Sequence, residues 1–297
     1  MPISLHRFGL SAAASTPFHD DGRVNHALLV EHVKWCLANG CGSVTVFGTT
    51  GEGASIALAE REQVFGALAA HNIGGDKIVG GVAAATLQDA TAQARAALDF
   101  GCRALLLAPP FYFKNVRDDG LFRWFAQLFE ALGGAARDVL LYHIPSMTQA
   151  GLSVALVGRL RKAFPEIIAG VKDSSGDWSN TEALLQHHSD LAILVGDERQ
   201  LARAVRIGAQ GTICGLANIC PDALLPLAQR GDDDPRIEQL VDALEKFPVI
   251  PAVKAIIAHR TGDKSWLNTR APLSPIGGAE LVALAGRYDA IFASKAA

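Results

Sequence analysis

Lys172 closes the apolar run Ile167-Ile168-Ala169-Gly170-Val171, and turn-forming residues follow it at once in AGVKDSSGDW (169–178). Burial disfavours the ammonium form of a lysine. Lys172 is therefore either a side chain leaving a strand for solvent or a nucleophile held where it can be neutral. Two other stretches carry complementary groups. FGTTGEG (47–53) sets the hydroxyls of Thr49 and Thr50 and free backbone N–H groups on a glycine-rich loop, which suits a small anion. LYHIP (141–145) offers Tyr142, whose phenol can pass a proton. The competing structural roles are a tight turn with a helix-capping threonine and a core aromatic with a bonded hydroxyl. His143 points opposite to Tyr142 if both lie on one strand, and is read as structural. Glu52 is read as a turn-stabilising carboxylate.

Lysine, tyrosine and a threonine loop together describe a Schiff-base enzyme for a 2-oxo acid. A neutral lysine attacks the ketone, and the resulting iminium withdraws electrons so that an adjacent C–C bond can break or form. The phenol relays the protons of carbinolamine collapse while the threonines hold the carboxylate. No cofactor is expected, because the iminium is itself the electron sink. GTTGEG is not a P-loop, since it lacks the Lys-Ser/Thr ending, and its spacing does not fit a dinucleotide fingerprint. No HxH, HExxH or carboxylate cluster points to a metal-dependent aldolase, and no metal site is expected.

The 297 residues carry a net charge of −3 and no basic stripe, which argues against nucleic acid and anionic membrane surfaces as partners. Hydrophobic residues make up 49% and charged ones 19%, as in a protein with a large core. Every apolar stretch is interrupted before the roughly 18 residues a membrane helix needs. Residues 1–7 lack the features of a signal peptide, so a cytoplasmic protein is expected. Cysteines 36, 41, 102, 214 and 220 are odd in number and show no CxxC pairing, which implies reduced, buried thiols.

The elements that must position these groups follow a repeating pattern. In ANGCGSVTVFG (38–48), DFGCRALLLAPP (99–110) and RIGAQGTICG (206–215), a helical stretch ends at Gly40, Gly101 or Gly208 and a short aliphatic run follows. Further strands are expected at 10–15, 77–82, 138–143, 167–172 and 191–195, which makes eight. Helices are expected at 58–70, with Leu58, Val64, Phe65 and Leu68 on one face, and at 86–99, with Ala90, Ala94, Ala97 and Leu98. Continuous apolar strands alternating with helices indicate a parallel sheet buried on both faces. Eight units favour an α/β fold of the (β/α)8 TIM-barrel type over a doubly wound sheet. The expected division is a barrel over 1–220 and a C-terminal helical extension over 221–297 packed on it, with DDDP (232–235) a solvated turn.

FGTTGEG, LYHIPS and GVKDSSGDW, in this order and at these separations, resemble the dihydrodipicolinate synthase and N-acetylneuraminate lyase family, and TPF at 16–18 agrees. The resemblance runs over nearly the whole chain. It implies that Lys172 forms an imine with pyruvate, that Tyr142 shuttles protons, and that Thr49 and Thr50 hold substrate. Gly196 and the Ile213 backbone would line the pocket, and a homotetramer or homodimer is implied. The expected catalytic set is Lys172, Tyr142, Thr49 and Tyr112, with Met147 among the substrate-binding residues.

Two positions depart from the family pattern. Members that make dihydrodipicolinate typically read Tyr-Asn-Val-Pro-Ser-Arg-Thr at the fifth strand, where this chain has Met147 in place of the arginine. A thioether cannot supply the two charge-assisted bonds with which an arginine grips a carboxylate. In APPFYFKNVRDDG (108–120) the family's tyrosine for a neighbouring subunit's site matches Tyr112 counted from the prolines, but Phe113 counted from Gly120. The expected function is a pyruvate-dependent lyase acting on a 2-keto-3-deoxy sugar acid or related 4-hydroxy-2-oxo acid, with an aldehyde as the second product. The alternatives are a dehydratase using the same imine, a dihydrodipicolinate synthase, and a barrel that binds 2-oxo acids without turnover.

Overall fold

The computed structural model describes residues 8–293. The segment 1–7, expected to carry no signal peptide, lies outside the described residues. Eight parallel strands close into a barrel in chain order: β1 (Gly9–Ala13), β2 (Ser43–Val46), β3 (Ile78–Val82), β4 (Ala104–Leu107), β5 (Val139–His143), β6 (Ile168–Asp173), β7 (Ala192–Val195) and β8 (Gly211–Cys214). Closure pairs β1 with β8 from Gly9 opposite Gly211 to Ala12 opposite Cys214. The expected eight-stranded TIM barrel is therefore the observed fold.

Helices alternate with the strands on the outside: α1 (His26–Ala38), α2 (Leu58–Ala70), α3 (Leu87–Asp99), α4 (Asp118–Leu132), the single turn α5 (Pro145–Thr148), α6 (Val154–Ala163), α7 (Trp178–His187), α8 (Glu198–Arg206) and α9 (Pro221–Arg230). Ala90, Ala94, Ala97 and Leu98 are buried on α3 as expected. On α2, Val64, Phe65 and Leu68 are buried, but Leu58 is exposed because it is the first helical residue and lies at the rim. Gly40, Gly101 and Gly208 all have positive φ, the conformation that turns each helix end back toward the barrel.

The apolar residues fall into two layers. Strand residues such as Val44, Leu105, Leu141 and Val171 face the helices, while Phe8, Val79, Leu106, Leu140, Tyr142, Leu194 and Ile213 fill the barrel interior. One irregularity decides which way the lysine faces. Between Val139 and Leu140 of β5, strand β6 advances from Ile168 to Gly170, so β6 carries one extra residue there. A bulge of this kind reverses the in-out alternation beyond it. Ile168 and Val171 thus both face the helices, and Lys172 faces the barrel axis beside its register partner Tyr142.

The remaining helices are α10 (Pro235–Leu244), α11 (Val249–Thr261) and α12 (Gly278–Ala293). α9 follows β8 and packs on β1 and α8. The acidic turn 232–235 does more than meet solvent: the Asp234 carboxylate accepts the Arg236 N–H and caps α10. All five cysteines are buried and unpaired with one another by disulfides. Among the described residues no helix is long and apolar enough to cross a membrane.

Candidate active site

The FGTTGEG loop leaves the top of β2 through two residues in the left-handed region, Phe47 (φ 62°) and Glu52 (φ 55°), which non-glycine residues occupy only when held there. Two buried charges hold them. Arg61 of α2 is 1% exposed, and its guanidinium lies 4.7 Å from the Phe47 ring centre. It donates to the carbonyls of Gly53 (2.7 Å), Gly81 (2.7 Å) and Ile56 (3.1 Å). Burial pulls this guanidinium down to a pKa of about 10. Glu52 pairs with Lys254 of α11, both side chains having no exposed area, and its other oxygen accepts the Arg270 N–H at 2.9 Å. Lys254 also donates to the Asn268 carbonyl at 2.6 Å. Its ammonium is lowered below the usual lysine value by burial, in spite of Glu52. Glu52 is thus a turn-stabilising carboxylate, as expected, and it fastens the loop to the C-terminal helices. Thr16, from TPF, adds a hydroxyl bond to the Gly51 carbonyl at 2.7 Å.

This anchoring sets Thr49 against the barrel mouth. Its hydroxyl lies 3.3 Å from the Tyr142 Oη, and the Lys172 Nζ donates to the same Oη at 3.3 Å. The three groups form a continuous amine, phenol and hydroxyl chain across β6, β5 and the β2 loop. Lys172 is 5% exposed and its Nζ sits 4.5 Å from the Tyr142 ring centre, so it does not escape to solvent. Asp173, the next residue, faces the other way and accepts from the Ser175 N–H (2.9 Å), Asn180 (2.9 Å) and Thr181 (2.8 Å). It fixes the end of β6 without neutralising the lysine. His143 also points outward, where its Nδ1 accepts the Leu152 N–H at 2.9 Å; burial lowers its pKa while Asp173 partly offsets this.

A cavity of about 440 Å³ opens over the chain of groups and is lined by Lys172, Tyr142, Thr49, Thr50, Gly196, Ile213 and Met147. Gly196 allows a close approach: a Cβ there would lie 2.0 Å from the Ser174 Oγ. Met147 is 55% exposed at the rim. Tyr112 is not brought to this cavity in its own chain; it is 72% exposed and packs edge-to-face on Phe113. Ser174, Glu198 and Arg199 line the cavity too and were not anticipated. Burial raises the Glu198 carboxyl above its usual value, and its Oε1 accepts the Leu216 N–H at 3.0 Å. The signal for Glu198 was present in VGDE, at the C-terminal end of a barrel strand. Lys254 and Arg61 gave no such signal: the partner of Lys254 lies 202 positions away, and the groups that Arg61 binds are backbone carbonyls. Among the described residues no group of three or more His, Cys, Asp or Glu is placed to hold a metal ion.

The profile of the dihydrodipicolinate synthetase family matches residues 7–284. The chain belongs to this family. Family members are class I lyases, and the chain is an enzyme of that class. It is 52% identical to the crystal structure described as dihydrodipicolinate synthase from Agrobacterium tumefaciens, covering 96% of this chain and 100% of that one with a TM-score of 0.95. An uncharacterized DapA-like lyase of Chloroflexus aurantiacus is 34% identical, over 96% of this chain and 97% of its own length. The 4-hydroxy-tetrahydrodipicolinate synthase of Pseudomonas aeruginosa is 30% identical, over 75% of this chain and 76% of its own.

Proposed function

We propose that the enzyme is a pyruvate-dependent Schiff-base lyase that cleaves or forms a 2-keto-3-deoxy sugar acid or a related 4-hydroxy-2-oxo acid. The observation that carries this reading is the Lys172–Tyr142–Thr49 chain with both contacts at 3.3 Å. In the cleavage direction Lys172 adds to the 2-oxo carbon and one water leaves as the iminium forms. A base takes the C4 hydroxyl proton, the C3–C4 bond breaks, and its electrons pass into the iminium to give an enamine and an aldehyde. The enamine is protonated at C3, and water then releases pyruvate and restores the amine. Tyr142 stands where it can carry these protons, and Thr49 links it to the threonine loop. Thr50 and the loop N–H groups would hold the carboxylate, with Gly196, Ile213 and Met147 against the remainder of the substrate. Tyr112 would act in a neighbouring copy. A cytoplasmic homo-oligomer belongs to the same proposal.

The distal lining supports an uncharged aldehyde half. Apart from Lys172, the cation described on the cavity wall is Arg199, and it is engaged by Asp197, Asp242 and Glu245 at 2.8 to 3.0 Å. A second carboxylate on the substrate would find no unengaged guanidinium there. The competing reading, condensation of pyruvate with aspartate semialdehyde, is favoured by the 52% identity to the Agrobacterium tumefaciens structure. Incubating the enzyme with pyruvate and, separately, glyceraldehyde or aspartate semialdehyde, with products resolved by mass spectrometry, distinguishes the two. Adducts of uncharged aldehydes at rates above that for aspartate semialdehyde support the lyase; the reverse order supports the synthase.

A further inference from the structure

A second chamber of about 280 Å³ adjoins the catalytic cavity and shares Thr49, Tyr142, Ile144, Met147 and Ile250 with it. Its walls are Phe47, Val82, Ala83, Leu106, Phe111 and Leu273. Of the polar side chains on its lining, all but the Ser55 hydroxyl are already engaged. Glu52 is paired with Lys254, the Thr148 hydroxyl donates to the Ile144 carbonyl at 3.0 Å, and Thr49 and Tyr142 bond each other at the entrance. No lysine or arginine lines it among the described residues.

We infer that this chamber receives an apolar substituent on C4 of the substrate, so that the aldehyde half carries a short branched alkyl group or an aromatic ring. This rests on the lyase reading above and narrows it to the related 4-hydroxy-2-oxo acids. The volume fits such a group, since a dry cavity of about 150 Å³ already accepts benzene. A polyhydroxyl arm would lose its water there against walls that offer it one uncommitted side-chain hydroxyl, that of Ser55, and a carboxylate would be desolvated without a cation. The reaction balances as above: the pyruvate enamine attacks the aldehyde carbon, the carbonyl oxygen takes a proton, and one water hydrolyses the iminium.

The test is condensation of pyruvate with isobutyraldehyde, benzaldehyde, glyceraldehyde and aspartate semialdehyde, followed as formation of the 4-hydroxy-2-oxo acid. Borohydride trapping of the pyruvate imine is run alongside. The expected kcat/KM for the two apolar aldehydes is about ten-fold or more above the other two, the scale that a matched apolar pocket delivers. Ala83→Phe, which fills the chamber from its wall, should lower the apolar rates by a similar factor while the pyruvate imine still forms, so that misfolding is ruled out. A trapped imine with glyceraldehyde preferred overturns this inference alone, as do apolar rates unmoved by Ala83→Phe; aspartate semialdehyde preferred overturns the lyase reading as well. No imine at all overturns the lyase reading and this inference with it.

Discussion

A Lys254→Met substitution removes the cation from a pair whose two side chains have no exposed area and leaves the Glu52 carboxylate buried. The Arg270 N–H at 2.9 Å remains as a partner for Glu52, while the Asn268 carbonyl loses the donor it had at 2.6 Å. Removing one member of a buried pair costs about 3–5 kcal/mol, because the remaining charge is left uncompensated. At about 2–4 °C per kcal/mol for a chain somewhat smaller than this one, the midpoint of thermal unfolding should fall by about 6–20 °C. Glu52 holds φ 55° at the end of the threonine loop, so kcat should fall as well, through displacement of Thr49 from the Tyr142 hydroxyl. The assay is urea unfolding of the parent, Lys254→Met, Glu52→Gln and the double variant. The double variant should be markedly more stable than the sum of the single losses implies, since no lone charge remains. If Lys254→Met unfolds within about 1 kcal/mol of the parent, the pair contributes no more than an exposed one would and the anchoring role given to it is wrong.

Tyr142→Phe should lower kcat by about 10²–10⁴ fold, the usual contribution of a positioned acid-base group, while pyruvate still reaches Lys172 on prolonged incubation; an unchanged kcat would remove Tyr142 from the mechanism. Burial holds His32 at a pKa of about 4. Its unfolded form takes up a proton first as pH falls, so stability present above pH 6.5 should drop by about 3 kcal/mol on the way to pH 4. His32→Gln should flatten that slope in denaturation curves collected across the range, and an equal slope in both proteins would contradict the assignment. Gly196→Ala places a Cβ 2.0 Å from the Ser174 Oγ. It should destabilise by about 1–3 kcal/mol as an overpacked site and raise the KM for pyruvate; neither change in unfolding and steady-state assays would argue against the close approach.

The barrel was legible because its signals are local. Glycines 40, 101 and 208 each precede an observed strand start by three residues, at Ser43, Ala104 and Gly211. Lys172, Tyr142 and the two threonines were legible for the same reason, lying at strand ends that a barrel brings to one mouth. The orientation of Lys172 was not, since it depends on a bulge in the β5–β6 register that no local residue announces. Glu52 could be read as a turn residue, but its partner Lys254 is 202 positions away, on a helix that looks like any apolar helix with one lysine. Arg61 was equally opaque: three backbone carbonyls bind it, and backbone atoms leave no mark in composition or spacing.

The proposed chemistry requires Lys172 as the imine-forming amine. Incubation of the enzyme with pyruvate and borohydride, intact-mass analysis and peptide mapping should find one reduced pyruvyl group per chain, on Lys172, and none in Lys172→Arg. A folded enzyme that takes up no pyruvyl group, or takes it up on another lysine, would contradict the account.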